Sequence, residues 1–373
     1  MPDDTLPTGA YDAFMMDLKK RLSGCGRVVS SAVLCLLLGM ASVEAQAAPA
    51  TMKVCVFDPI GTSGDVHRAL EDYRLQMARS GYNLTVRTYV DENVAVEDFR
   101  TGQCDGVMAT GIRTRHFVPL AASLDSPGAS SILRAGRIDM DASFEVVRKF
   151  ISLMSSPKAA AMVKAGPYEV AGIIPLGAAY AFVNDRQLKT LQAAAGKRVA
   201  ALDHDRSQAE LIVRAGGRPV AANITNFATM FNNGSVDVII APAIVYRPFE
   251  LQKGIGRKGG VARFPITILS YQMIIRTDAV PEGFGQASRT HFSKSLEEAI
   301  RIARKADQDI PANLWLDPTP EENDQYMVLM RQGRVLMANK GLFDKTGLKI
   351  LKRIRCNVEP TAAECSERTE EWK

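Results

Sequence analysis

Three short stretches of this 373-residue chain carry side chains fit for binding or catalytic chemistry. Arg113 and Arg115 leave the run Gly111-Ile-Arg-Thr-Arg115, and alternate residues of an extended segment face the same way. Two guanidinium forks on one side suit a carboxylate or a phosphate, although a solvated basic turn has the same sequence. Gly61-Thr62-Ser63-Gly64 leads into a helical run. Its backbone amides and the Thr62 and Ser63 hydroxyls suit an anion, and an ordinary helix cap without a ligand fits equally. Asp203-His204-Asp205 sets an imidazole between carboxylates, the composition of a general base. Adjacent residues cannot orient one another as a triad does, however. The chain also contains no G-x-S-x-G, Walker loop or H-E-x-x-H. Gly254-Ile-Gly-Arg-Lys-Gly-Gly260 lacks both a preceding strand and a following Ser/Thr, and reads as a loop. No C-x-x-C pair occurs and the four histidines are scattered, so no metal is expected. The residues speak for binding rather than catalysis, with no cofactor.

The elements that position these stretches form a repeated unit. Lys53–Phe57 is strand-like and breaks at Asp58-Pro-Ile-Gly. A helix fits Asp65–Ser80, with Val66, Ala69, Leu70, Tyr73 and Met77 on one face. Strand Leu84–Val90, a short helix at Val94–Arg100 and strand Gly106–Ala109 complete β-α-β-α-β, the unit of a parallel sheet. The order recurs as strand Lys197–Leu202, helix Gln208–Ala215, strand Pro219–Ala221, helix Asn226–Asn232 and strand Val236–Ile240. Both units carry F-x-x-G-x-x-D, as Phe99-Arg-Thr-Gly-Gln-Cys-Asp105 and Phe231-Asn-Asn-Gly-Ser-Val-Asp237. In each, a Phe anchors the helix, a Gly supplies a left-handed cap and an Asp opens the buried strand. The apolar runs Val170–Val183 and Ile266–Ile275 suit two crossovers between lobes. Helices are expected at His291–Ala306, after the N-cap Thr319 with its Pro320 and Glu322 capping box, and at Thr346–Arg355.

Composition bounds the rest. The chain is 46% hydrophobic and 23% charged, too apolar for disorder. Its excess charge of +5 is spread thinly, which excludes a nucleic-acid-binding stripe. Lys19, Lys20, Arg21 and Arg27 precede the short apolar run Val28–Met40, and Ala45-Gln46-Ala47 and Ala48-Pro49-Ala50 follow. Basic, apolar and small-residue parts in this order make residues 1–50 a secretory signal peptide, with Met15 or Met16 a candidate start. A buried N-terminal helix is the alternative. Without that segment four cysteines remain, an even number that favours two disulfides in an exported protein. Cys356 and Cys365 are close enough in sequence to pair locally, leaving Cys55 for Cys104 unless Cys55 is a reduced core residue.

Two such units, two crossovers and a helical C-terminus resemble the extracytoplasmic solute-binding proteins, and most closely the TRAP-transporter type. The motifs carrying this resemblance are Leu191-Gln-Ala-Ala-Ala-Gly196-Lys-Arg198-Val199, Ala215-Gly-Gly-Arg-Pro219-Val220, Phe231-Asn-Asn-Gly234-Ser-Val-Asp237 and Pro281, within about residues 51–310. The resemblance implies an α/β, two-lobed periplasmic-binding-protein-like fold. Each lobe is a parallel-rich sheet flanked by helices, with two hinge crossovers and a helical C-terminus. Residues 51–178 and 272–373 make lobe I with the C-terminal helices; residues 179–271 make lobe II. The first and third strands of a lobe are neighbours in that family, which puts Cys55 near Cys104. The resemblance departs at one position. With Gly196 on the motif glycine, Ala200 takes the place of the arginine that clamps a substrate carboxylate, unless a slip gives that role to Arg198.

The expected protein is a periplasmic monomer that captures a small solute and delivers it to membrane permease subunits. A ligand-free accessory of an envelope efflux complex, of the RND type, is the alternative, and a periplasmic enzyme on the same fold a third. Ligands bind beyond the carboxyl ends of parallel strands. The candidates there are Thr62, Ser63, Arg113 and Arg115 in lobe I, and Arg198, Asp203, Arg206 and Asn223 in lobe II. Arginines outnumber acids in that set, which points to an anionic solute, an organic acid. The signal reading predicts that N-terminal sequencing of periplasmic material starts at residue 48 or 51; an intact 28–47 segment on soluble protein would refute it.

Overall fold

The computed structural model describes residues 51–189 and 193–372; the expected signal segment lies outside the described residues. The first unit comprises β1 (Met52–Phe57), α1 (Asp65–Arg79), β2 (Leu84–Tyr89), α2 (Glu92–Arg100) and β3 (Gly106–Thr110). After it come α3 (Met140–Ser155) and β4 (Tyr168–Val183). The second unit is β5 (Arg198–Leu202), α4 (Arg206–Arg214), β6 (Arg218–Ala222), α5 (Phe227–Asn232) and β7 (Val238–Pro242). Then follow β8 (Thr267–Arg276), α6 (Phe284–Lys294), α7 (Leu296–Gln308), α8 (Pro320–Asn339) and α9 (Lys345–Val358).

These strands lie in one sheet, in the order β2-β1-β3-β8-β4-β7-β5-β6. β1 pairs in parallel with β2 and β3, and β5 in parallel with β6 and β7. β4 and β8 run antiparallel to each other and to the neighbouring unit. Each unit therefore has the order second-first-third strand, closed by one antiparallel strand. Both of these long strands are buried along almost their whole length, as apolar crossovers should be.

The shared signature acts identically in both units. Phe99 and Phe231 are fully buried, and Gly102 and Gly234 have φ of 86° and 77°. The Asp105 carboxylate accepts the Lys53 amide at 2.8 Å, and the Asp237 carboxylate accepts the Arg198 amide at 2.9 Å. Each aspartate thus stitches the third strand of its unit to the start of the first.

Two features differ from the sequence reading. The expected helix His291–Ala306 is two helices, α6 and α7, broken at Ser295, which caps the end of one and the start of the other. The α3 helix escaped that reading, although Asp139 caps it by accepting the Ala142 amide. Among the described residues two disulfides are present, Cys55–Cys104 with Cα atoms 5.9 Å apart and Cys356–Cys365 at 5.6 Å. The capping box of α8 forms as its sequence implies, with both Thr319–Glu322 hydrogen bonds made.

The C-terminal segment is fastened by a buried ionic cluster. Arg334 donates to Glu370 at 2.6 Å, and Arg355 donates to Glu364 at 2.7 Å and to Glu370 at 2.6 Å. The same guanidiniums hold the carbonyls of Pro127 and Ala129, each at 2.7 Å, so the cluster also fixes the loop under α8 and α9. Burial pushes the Glu370 carboxyl up, but Arg334 and Arg355 outweigh it and hold the group down at about 2. Its stabilising effect is therefore complete above the usual carboxylate range and is lost only as pH falls toward 2. Glu370→Gln leaves two buried guanidiniums short of a counter-charge and should cost about 3–5 kcal/mol in urea unfolding at pH 7. A loss below about 1 kcal/mol would show that the cluster does not hold the fold.

Candidate binding cleft

The carboxyl ends of the parallel strands from both units open onto one cavity of ≈330 Å³. Its walls are largely apolar and aromatic, among them Phe57, Leu211, Phe227, Phe249, Leu269 and Phe343. Such a cavity can take a small organic molecule and exclude most water from it.

Among the described residues, five acids and one cation line this space. Asp58 sits at the end of β1, almost fully buried, and its carboxylate accepts the Ile60 amide at 2.9 Å and the His67 amide at 3.0 Å. Gly64 has no side chain because a Cβ there would collide with that carboxylate. Asp58 thereby fills the place that an external anion would take at the start of α1. The amides of Gly61–Gly64 are not the open anion site that the sequence proposed. Thr62 and Ser63 are exposed and stand outside the cavity wall.

Glu92, at the end of β2, accepts the Thr110 amide at 2.7 Å. Burial pushes its carboxyl up to about 7. Asp125 accepts both the amide and the hydroxyl of Ser270 at 2.6 Å, and burial likewise pushes it up to about 7. Asp205 caps α4, accepting the amides of Ser207 at 3.0 Å and Gln208 at 3.3 Å. Asp65 is exposed and paired with Arg68. Each acid therefore has a partner within the protein.

Among the described residues, Arg115 is the one cation lining the cavity. Its guanidinium lies over the Phe343 ring at 4.6 Å and 3.8 Å from Asp205, with its side chain 11% exposed. No hydrogen bond to it is found among the described residues. Its donors are thus what the cavity wall offers to a guest.

The structure separates the other sequence candidates. Gly111–Thr114 is a single helical turn, started by the Thr110 side chain, rather than an extended segment. Arg113 and Arg115 consequently do not share a face: Arg115 lines the cavity, whereas Arg113 does not and has a buried Nε without a partner. Arg198 stands at the amino end of β5 and does not line the cavity. It is held there by Asp237, with nitrogen–oxygen distances of 2.7 and 3.1 Å, and by the Gly234 carbonyl. Ala200 is buried in mid-strand. No arginine of β5 reaches the cleft, so neither alignment of the clamp motif supplies one. The Asn223 side-chain oxygen is used in its own turn, by Thr225 and Asn226. Arg206 is exposed and Asp203 half-exposed, and neither lines the cavity. Glu92 and Asp125 were absent from the sequence set. Glu92 follows the carboxyl end of β2 and was open to detection there. Asp125 lies in a loop that only the partnership with Ser270 on β8 brings in.

Glu92 and Asp125 make stability fall with rising pH. A carboxyl raised from its ordinary value to about 7 stabilises the fold when protonated, and that contribution fades between about pH 4 and 7. Asp125→Asn removes one such group. Its urea midpoint should change less between pH 5 and 8 than that of the unaltered protein; an identical change would exclude the assignment.

The profile of the solute-binding protein AdeT 1/2 family matches residues 78–370. The probable solute-binding protein AdeT1 of Acinetobacter baumannii is 40% identical over 311 residues, covering 83% of this chain and 99% of that protein. AdeT2 of the same organism is 26% identical over 218 residues, covering 58% of this chain and 92% of that protein. A TRAP periplasmic solute-binding protein from Desulfovibrio salexigens, solved with orotic acid, superposes with a TM-score of 0.65. It has 13% identity and covers 83% of this chain and 99% of its own. A second, from Shewanella oneidensis with succinate, gives 0.63 at 12% identity, covering 83% and 100%. The fold is that of the two-lobed TRAP-type binding proteins, and the chain belongs to the AdeT 1/2 family of solute-binding proteins.

Proposed function

We propose that the cleft captures a small organic acid with one carboxylate and an apolar body, for delivery to a membrane transporter from the periplasm. The observation that carries this reading is Arg115: a nearly buried guanidinium without a hydrogen bond, facing an apolar cavity whose acids are already engaged. A carboxylate would complete its bidentate fork, and the aromatic walls would cover the rest of the solute. Orotic acid, the ligand of one structural neighbour, has a single carboxylate on a ring and supports this class; succinate, the ligand of another, supports only the broader class of organic acids. A dicarboxylate fits less well, because Arg115, the one cation among the described lining residues, offers one clamp.

Capture requires the two halves of the sheet to close on the solute. We assign residues 51–178 and 272–373 to one lobe and 179–271 to the other, with the bend where β4 and β8 lose register. There Leu269 pairs with Gly177 but Ser270 pairs with Pro175, leaving Leu176 as an extra residue. A bulge of this kind bends a strand without breaking the sheet, and Leu176 lines the cavity.

A thermal-shift screen of aromatic and branched-chain monocarboxylates should identify a ligand, and calorimetry should then grade variants. Arg115→Ala should weaken binding by about 2–5 kcal/mol, 30-fold or more, because a carboxylate would be buried without its partner. Arg198→Ala should leave affinity unchanged. Equal affinity of Arg115→Ala and the unaltered protein would refute the site.

A further inference from the structure

We propose that the Asp203–Asp205 loop and the Arg113–His116 turn form a proton-sensitive latch across the cleft mouth, closed while His204 is neutral and released when it takes a proton. The inference rests on the reading of the two halves as lobes that open and close. It does not depend on which solute they hold.

The two stretches leave the carboxyl ends of β5 and β3, in opposite halves of the sheet, and they meet. Arg115 lies 3.8 Å from Asp205, with both side chains about nine-tenths buried (11% and 10% exposed). Beside this pair His204 is equally buried, and among the described residues neither of its ring nitrogens finds a hydrogen-bond partner. Asp203 of the same loop comes within 3.4 Å of Nδ1 but without hydrogen-bond geometry. From the facing turn, the buried Nε of Arg113 is also unpartnered. Three orphaned polar atoms in one seam are costly, and an exposed seam would leave all three to water. The closed seam is therefore poised rather than optimised.

Charge decides the direction of the switch. Arg113 from the first half bears on His204, opposed by Asp205 and Asp203 of its own loop. His116, next to Arg115, feels Arg113, Arg115 and Asp205. Burial first, and Arg113 second, hold the His204 ring neutral, down to about 4, against the pull of the two aspartates. In an opened cleft the ring is hydrated and returns to about 6.5. A proton is thus penalised only in the closed state. Closure has full strength above about pH 6.5 and weakens as pH falls toward 4; at pH 5 the closed-to-open ratio should be about 30-fold lower than at pH 8.

The test needs no ligand. Val90 and Val213, 57% and 61% exposed, lie in opposite halves and accept spin labels as cysteines, the cysteines of the described chain being paired in disulfides. Distances between the labels are measured from pH 8 to 5. The parent protein should gain a longer-distance population on acidification, and His204→Gln should not. Arg113→Gln, which removes the opposing cation, should show a weaker response, and it carries the test alone if His204→Gln fails to fold. A distance distribution that is constant with pH in the parent, or an unaltered response in these variants, overturns the latch. Loss or retention of solute binding by Arg115→Ala bears on the proposed function and leaves this outcome untouched.

Discussion

The antiparallel pairing of β4 with β8 runs from Tyr168 opposite Arg276 to Ala179 opposite Thr267, and both strands are almost wholly buried. Each parallel unit alone would end on an open edge at its third strand, a row of unpaired amides and carbonyls. β8 closes β3 and β4 closes β7, so two units that would each be incomplete become one sheet. The cleft exists because this pairing sets the carboxyl ends of β1–β3 against those of β5–β7. It also explains why the polar floor of the cavity draws on distant sequence: Ser270 on β8 orients Asp125, and the Pro127 carbonyl just beyond is held by Arg334 from α8.

The repeat was legible because its determinants are local. Phe99 and Phe231, Gly102 and Gly234, Asp105 and Asp237 stand at fixed offsets, and each triplet does its work within a few residues and one neighbouring strand. The crossovers were legible because strands buried on both faces read as continuous apolar runs. The binding site was much less so. Whether Arg113 and Arg115 share a face depends on the conformation of one turn, and the Thr110 cap makes that turn helical. Arg198 was a clamp candidate by type, and by position only if the motif slipped by one or two residues. Its counterpart in the first unit is Lys53, and both mark a strand start that an aspartate fastens.

Electrostatics in the cleft follows from what each carboxylate already holds. Asp58, Glu92, Asp125 and Asp205 accept hydrogen bonds from backbone amides within the protein, so a count of charges around the cavity misjudges its preference. Preference belongs to groups with donors or acceptors left over, and Arg115 is such a group. Its hold on two sides, the Phe343 ring and Asp205, limits the rotamers it can adopt.

The duplicated units are not fastened alike. By the register of Lys53 with Arg198 and Asp105 with Asp237, the Cys55–Cys104 disulfide falls where the second unit has Ala200 and Val236. The first unit is closed by a covalent bond. The second is closed by the Arg198–Asp237 ion pair, whose aspartate that arginine holds down at about 2. The joint of the first unit thus depends on redox conditions and that of the second on ionic strength. Two copies of one design have come to age by different chemistries.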